Sequence, residues 1–288
     1  MRLFLLTALA MTAFAGNSVL NRMAVGQGLI GPLEFALVRL VAGAAVLAVL
    51  VALRRVARGG VVWPGLRGRV AGVTGLLIYL LGFSLAYQGI AAGPGALVLF
   101  AVVQITMFFG AVLRSEPVPP HRWLGAGLAL GGLVVLSLPG AAVPALLPVV
   151  AMAVAGVGWG VYSLAGRGQA DALAATAANF VLALPVMGAI LLLLPISPDR
   201  VPHTGFGLML AVLSGAITSG LGYALWYAVL PALGAARAAV AQLTVPVLAA
   251  AGGALLIGEG VGLRFVLAAA LVLGGVALAS RQSGLTRR

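Results

Sequence analysis

Residues 259–275 read EGVGLRFVLAAALVLGG, and residues 116–132 read EPVPPHRWLGAGLALGG. Each stretch opens on a glutamate and closes on two glycines: Glu116 with Gly131-Gly132, and Glu259 with Gly274-Gly275. Upstream of each lies an aromatic helix, with Phe83 and Tyr87 in one copy and Tyr223 and Tyr227 in the other. A repeat of this size in a chain of 288 residues implies two copies of one unit, 1–140 and 141–288. Everything between the copies is strongly apolar. In a membrane protein, internal duplication points to a transporter.

The composition places the chain in a bilayer. It is 62% hydrophobic and 8% charged, with a mean hydropathy of +1.18, against about 45–50% and about 25% for a soluble domain. A hydrocarbon core of about 30 Å needs about 20 helical residues. Ten apolar runs satisfy this, near 3–21, 32–53, 69–89, 94–113, 123–138, 146–165, 172–194, 205–229, 235–257 and 262–280. They are continuously apolar rather than alternating, which favours helices over a barrel. The expected fold is an all-α integral membrane protein of ten transmembrane helices. Its connections are too short for a soluble domain. There is no cysteine, hence no disulfide and no thiol nucleophile.

The net charge of +12 is carried by arginine alone. With a cytoplasmic N-terminus, that side holds Arg2, Arg54, Arg55, Arg58, Arg67, Arg69, Arg114, Arg122, Arg167, Arg237, Arg281, Arg287 and Arg288. The opposite side holds Arg22, Arg200 and Arg264, and Arg39 lies within the second helix. The asymmetry predicts both termini in the cytoplasm. It makes the basic charge topological, with the lipid bilayer rather than nucleic acid as its partner. Helix 1 also resembles a signal peptide, with Ala13-Phe14-Ala15 as a small-residue site. Its Gly16-to-Leu20 segment, however, lines up with Gly160-to-Leu164, as a five-helix repeat requires. Five is odd, so the second copy must enter the membrane from the other side. This makes a 5+5 inverted repeat around a central cavity, with Glu116 and Glu259 at opposite faces, and inverted repeats suit alternating access.

At this point a resemblance emerges. Ala224 to Tyr227, Pro231, Leu233 to Ala236, Gln242 to Pro246, Gly258-Glu259 and Gly274-Gly275 resemble the second repeat of the EamA-type transporters. These form the ten-helix branch of the drug/metabolite transporter superfamily. Leu85 to Tyr87, Glu116, Trp123, Gly125 and Gly131-Gly132 resemble the first repeat, and Pro32 with Arg39 resembles the family's second helix. The similarity spans the chain. It departs where the family has a proline in helix four: here that position is Val103. The resemblance implies export of small organic metabolites at the bacterial inner membrane, and most closely the branch that exports amino acids, aromatic ones included. Neither an enzyme nor a cofactor is expected, and a monomer is a plausible state.

Candidate substrate contacts are the polar and aromatic residues within apolar helices, since burying polarity there is costly without a purpose. Tyr79, Phe83 and Tyr87 share one face of helix three, and Tyr223 and Tyr227 one face of helix eight. Helix one offers Asn17, helix four Gln104, and helix six Trp159 and Tyr162. Interfacial anchoring accounts for Tyr87 and Tyr227 equally well. A helix–helix hydrogen bond accounts equally for Asn17. These neutral groups suit a zwitterionic or polar, partly apolar substrate. Arg39 is expected to be structural, paired with backbone carbonyls or with Glu34. The glutamates are expected to cap or hydrogen-bond neighbouring helix ends. Pro246 is expected to interrupt helix nine. All five acids and both histidines fall at helix ends or in loops, which points to facilitated transport. The alternative is a proton-coupled multidrug or metabolite efflux pump.

Overall fold

In a computed structural model, the residues described are 1–59, 63–66, 68–113, 119–137, 145–166, 169–193 and 203–279, without the side chains of 234–237 and 239–240. Glu116 and Asp199 lie outside them, as do Arg67, Arg114, Arg167, Arg200, Arg281, Arg287, Arg288 and the Arg237 side chain. The chain runs through α1 (Arg2–Gly26), α2 (Pro32–Arg58), α3 (Arg69–Ala86), α4 (Ala92–Leu113), α5 (Pro120–Ser137), α6 (Leu146–Gly166) and α7 (Ala172–Leu193). A composite α8 follows, made of Gly205–Leu213, a π-helical segment Ser214–Leu221, and Gly222–Gln242. Then come α9 (Thr244–Ile257) and α10 (Leu263–Ala279). No strand occurs among the described residues.

The fold is that of an all-helical membrane protein. Among the described residues, seven helices are long and apolar enough to cross a bilayer: α1 to α4, α6, α7 and the Gly205–Leu233 part of α8. α9 and α10 are shorter apolar helices. Large apolar side chains such as Leu9, Val49, Leu192 and Leu255 point outward. Water would penalise that surface, whereas lipid tails solvate it.

One boundary differs from the sequence expectation. Helix eight was expected to end near residue 229 and helix nine to begin near 235. Instead, helical backbone continues through Pro231 to Gln242 and turns at Leu243. A proline gives up one N–H, and such losses are tolerated in membrane helices. Pro246 sits in the first turn of α9, where a missing donor matters little. The break therefore falls just ahead of Pro246 rather than around Pro231. At the corresponding position α4 carries Val103 and is unbroken from Ala92 to Leu113.

The helix pairings come in matched sets. α3 packs along α6 as α8 packs along α1, α4 meets α6 as α9 meets α1, and α2 meets α8 as α7 meets α3. Three helices pack on their own counterparts: α2 on α7, α4 on α9 and α5 on α10. Exchanging each helix for the one five places away maps these pairs onto themselves. The diglycines give the register of the α5–α10 crossing. A Cβ at Gly132 would fall 2.9 Å from the Ala268 carbonyl oxygen, and one at Gly275 2.5 Å from that of Gly125. The first glycine of each pair, Gly131 or Gly274, faces open space. Only the second permits the close backbone approach typical of membrane helix contacts.

Candidate functional site

The centre of the bundle is built where α1 crosses α8. Asn17 is buried among apolar neighbours, so its amide needs partners. Its Oδ1 accepts from Ser214 Oγ at 2.8 Å, Thr218 Oγ1 at 2.5 Å and Ser219 Oγ at 3.4 Å. All three hydroxyls belong to the π-helical segment, where Gly222 N–H reaches back five residues to Ile217 O. This wider turn brings Ser214, Thr218 and Ser219 onto one acceptor. Short π segments are frequent at functional sites. One turn along α1, Asn21 Nδ2 donates to Ser84 Oγ at 3.0 Å.

Arg39 corrects the sequence expectation. It pairs neither with Glu34 nor with backbone carbonyls. The side chain is fully buried, donating from Nε to Ser219 Oγ at 3.0 Å and from Nη2 to Tyr79 Oη at 2.7 Å. Its guanidinium carbon lies 5.1 Å from the Tyr79 ring centroid and 5.0 Å from that of Phe83. Starting from helix α2, the side chain reaches away from Glu34 into the bundle, where aromatic faces and hydroxyls replace water.

Beside this guanidinium lies a cavity lined by Phe14, Asn17, Ser18, Tyr79, Phe83, Leu99, Phe100, Trp159 and Tyr223. About 20 Å³ of it is open to the centre of a water molecule, room for water but not for an organic molecule. Of the residues picked out in the sequence, the structure brings Asn17, Tyr79, Phe83, Trp159 and Tyr223 together here. The rings interlock: Trp159 lies 4.9 Å from Tyr79 and 5.2 Å from Tyr223, and Tyr79 lies 5.2 Å from Phe83. Tyr162 backs the wall, stacked on Trp159 at 5.1 Å and donating to Thr176 Oγ1 at 3.1 Å.

The other candidates fall elsewhere. Tyr87 packs edge-on against Phe83 and donates to Ala92 O at 3.4 Å, at the end of α3. Tyr227 is partly buried against the core, near Tyr162 and Thr176. Gln104 is half-buried one turn beyond Phe100 and does not line the cavity. Sequence reasoning missed Phe14, Ser18, Leu99, Phe100 and the role of Arg39. The spacing of Ser214, Thr218 and Ser219 in an apolar helix was the available signal for the hydroxyl cluster.

Both ends of the bundle are tied by charge. At one end Glu259 Oε1 accepts from Arg22 Nε at 2.8 Å, and its Oε2 accepts from Ala92 N, also at 2.8 Å, at the start of α4. Arg22 Nη1 also donates to the Tyr87 and Gln88 carbonyls. At the opposite end Arg54 forms a two-pronged pair with Asp171, which also accepts from Ala174 N at 3.0 Å. Burial pushes the Asp171 carboxyl up, but Arg54 and the α7 amides outweigh it and hold it below the ordinary value. Beside it, Arg69 donates to Ala175 O, Asn179 Oδ1 and Gln169 Oε1.

The model of the EamA-like transporter family matches the chain twice, over residues 1–138 and 146–281. The chain belongs to the EamA-like transporter family. This EamA-like transporter is 48% identical over 281 residues to an uncharacterized protein of Pseudomonas aeruginosa, covering 96% of this chain and 94% of the other. It is 26% identical over 218 residues to an uncharacterized transporter of Archaeoglobus fulgidus, covering 73% and 76% of the two chains. One crystal structure aligns with a TM-score of 0.67 at 23% identity, over 95% of this chain and 96% of its own, a likeness of fold alone. The EamA-like assignment makes the chain a multi-pass membrane transporter with a small-molecule substrate.

Proposed function

We propose that this transporter exports small organic metabolites, amino acids with neutral and aromatic side chains among them, across the bacterial cytoplasmic membrane by facilitated alternating access. Two five-helix repeats, 1–140 and 141–288, run in opposite senses, and both termini face the cytoplasm. One observation carries the reading. A water-sized cavity walled by aromatic rings together with Asn17, Ser18 and Leu99 sits at mid-bundle, with an ion pair fastening each end. A carrier needs such a site and two closures that open in turn. The matched helix pairings and the double family match support the inverted repeat. Facilitated rather than proton-driven movement is supported by the cavity wall, which contains no carboxylate or imidazole among the described residues.

The test uses proteoliposomes loaded with labelled phenylalanine. Saturable efflux, competed by unlabelled amino acid and indifferent to a pH gradient, is the expected result. Accumulation against a gradient, driven by pH, overturns the facilitated mode. Transport of cationic dyes but of no amino acid overturns the substrate class. Transport that is not saturable overturns the carrier.

A further inference from the structure

We infer that Arg39 is the anion-binding element of the central site, and that the favoured ligand presents a carboxylate to it with no ammonium group alongside. This rests on the transport reading above and, within its small organic metabolites, ranks carboxylates without an ammonium group ahead of the amino acids named there. The argument begins with charge. Arg39 is fully buried at the centre of a membrane bundle, where an ionised side chain is tolerated for a partner or a purpose. Acids among the described residues are engaged elsewhere: Glu259 with Arg22, Asp171 with Arg54, and Glu34 folded back on Gly31 at the start of α2. The hydrogen-bond partners of Arg39 are neutral hydroxyls. Its Nη1 is sealed from solvent and makes no well-formed hydrogen bond, although the Tyr223 hydroxyl stands close to the guanidinium as well. Four of the five donors of a guanidinium sit on its two terminal nitrogens, so a large part of this binding capacity is unused.

Position then links the charge to the cavity. Tyr79 and Phe83, whose rings flank the guanidinium, are themselves cavity walls. Tyr79 Oη accepts from Arg39 Nη2, which leaves its own proton to donate. A carboxylate entering the cavity therefore meets a hydroxyl polarised by a cation. Hydrogen bonds from charged donors to carboxylates are about twice as strong as neutral ones.

The same geometry disfavours cations. An aromatic box ordinarily attracts ammonium groups through its ring faces, but Arg39 already lies against two of these rings. An ammonium would also need an acceptor, and the Asn17 amide oxygen is occupied by three hydroxyls. An α-amino group is thus a liability at this site. Aromatic acids whose nitrogen is acylated or absent fit better than the free amino acids.

The test is ligand-induced thermal stabilisation of the purified protein in detergent with four matched compounds. These are N-acetylphenylalanine (an anion), its neutral amide, phenylalanine (a zwitterion) and phenylalaninamide (a cation). In the wild type the anion should bind about tenfold or more tightly than the neutral amide, with the cation weakest. Arg39→Gln should erase that gap, and Arg39→Lys should keep part of it. Equal affinity for anion and neutral amide in the wild type overturns the assignment, as does a gap that survives Arg39→Gln. Should Arg39→Gln fail to fold, the wild-type series and Arg39→Lys still decide. Tightest binding by phenylalanine or its amide cation overturns the Arg39 inference while leaving amino-acid export standing. Binding of none of the four overturns both.

Discussion

At the Arg22 end of the bundle one carboxylate serves two partners. Glu259 holds a guanidinium from α1 and the first amide of α4, while standing in the turn between α9 and α10. At the Arg54 end the work is shared: Asp171 pairs with Arg54 and caps its own α7, while Arg69 reaches three neutral oxygens. The first tie is concentrated in a single side chain and the second is distributed. Removing one group should therefore open the Arg22 end far more readily than the Arg54 end. The Arg54 end also carries a sensitivity to acid, because the fold holds the Asp171 carboxyl below its ordinary range.

Glu259→Ala should give the largest effect. It strands the Arg22 guanidinium and a helix-start amide, costing about 2–3 kcal/mol. A fall in melting temperature in detergent reads this, and Glu259→Gln should recover part of it by keeping an acceptor for Ala92 N. Because the chain lacks cysteine, Ser18→Cys in the cavity wall makes a clean accessibility probe. Labelling by an impermeant maleimide should rise from the Arg22 side in Glu259→Ala; equal labelling from both sides would break the comparison. Next in size, Gly275→Ala should cost about 1–3 kcal/mol by overpacking, whereas Gly274→Ala, facing open space, should be neutral or slightly stabilising. Asp171→Ala should cost about 1 kcal/mol, through loss of a cap and a partly exposed ion pair. The smallest effect is acid sensitivity. A depressed carboxyl contributes stability above the free-carboxylate pKa of about 3.9, lost as pH falls through the lower folded value. Melting temperature should therefore drop below about pH 4 in the wild type, and less so in Asp171→Ala.

The sequence made the all-helical membrane fold legible, because apolar runs act through the bilayer without needing tertiary detail. The paired glycines marked α5 and α10, although which glycine of each pair makes contact depended on helix rotation. The aromatic half of the site was legible for the same reason: Tyr79 and Phe83 are neighbours on one helix face. Arg39 was not. Its partners, Tyr79 and Ser219, stand 40 and 180 residues away, so local spacing suggested Glu34. Gln104 stands outside the cavity lining, since a lone amide in an apolar run reveals its polarity but not the direction it points. The end of α8 was misjudged because Pro231 looks like a stop signal, yet the turn lies ahead of Pro246.

The π-helical segment of α8 carries one last consequence. Its counterpart α3 is an ordinary α-helix. A machine assembled from two identical halves would populate its two opposing states equally, since exchanging the halves turns one state into the other. Each departure from identity weights that equilibrium. Here one departure is the π-helical stretch of eight residues in α8, whose three hydroxyls gather on Asn17 of α1. On the alternating-access reading proposed above, that local asymmetry would weight the resting preference of the empty carrier, and hence the face on which it waits for cargo. Variants that restore a regular helix there should move the two populations toward one another.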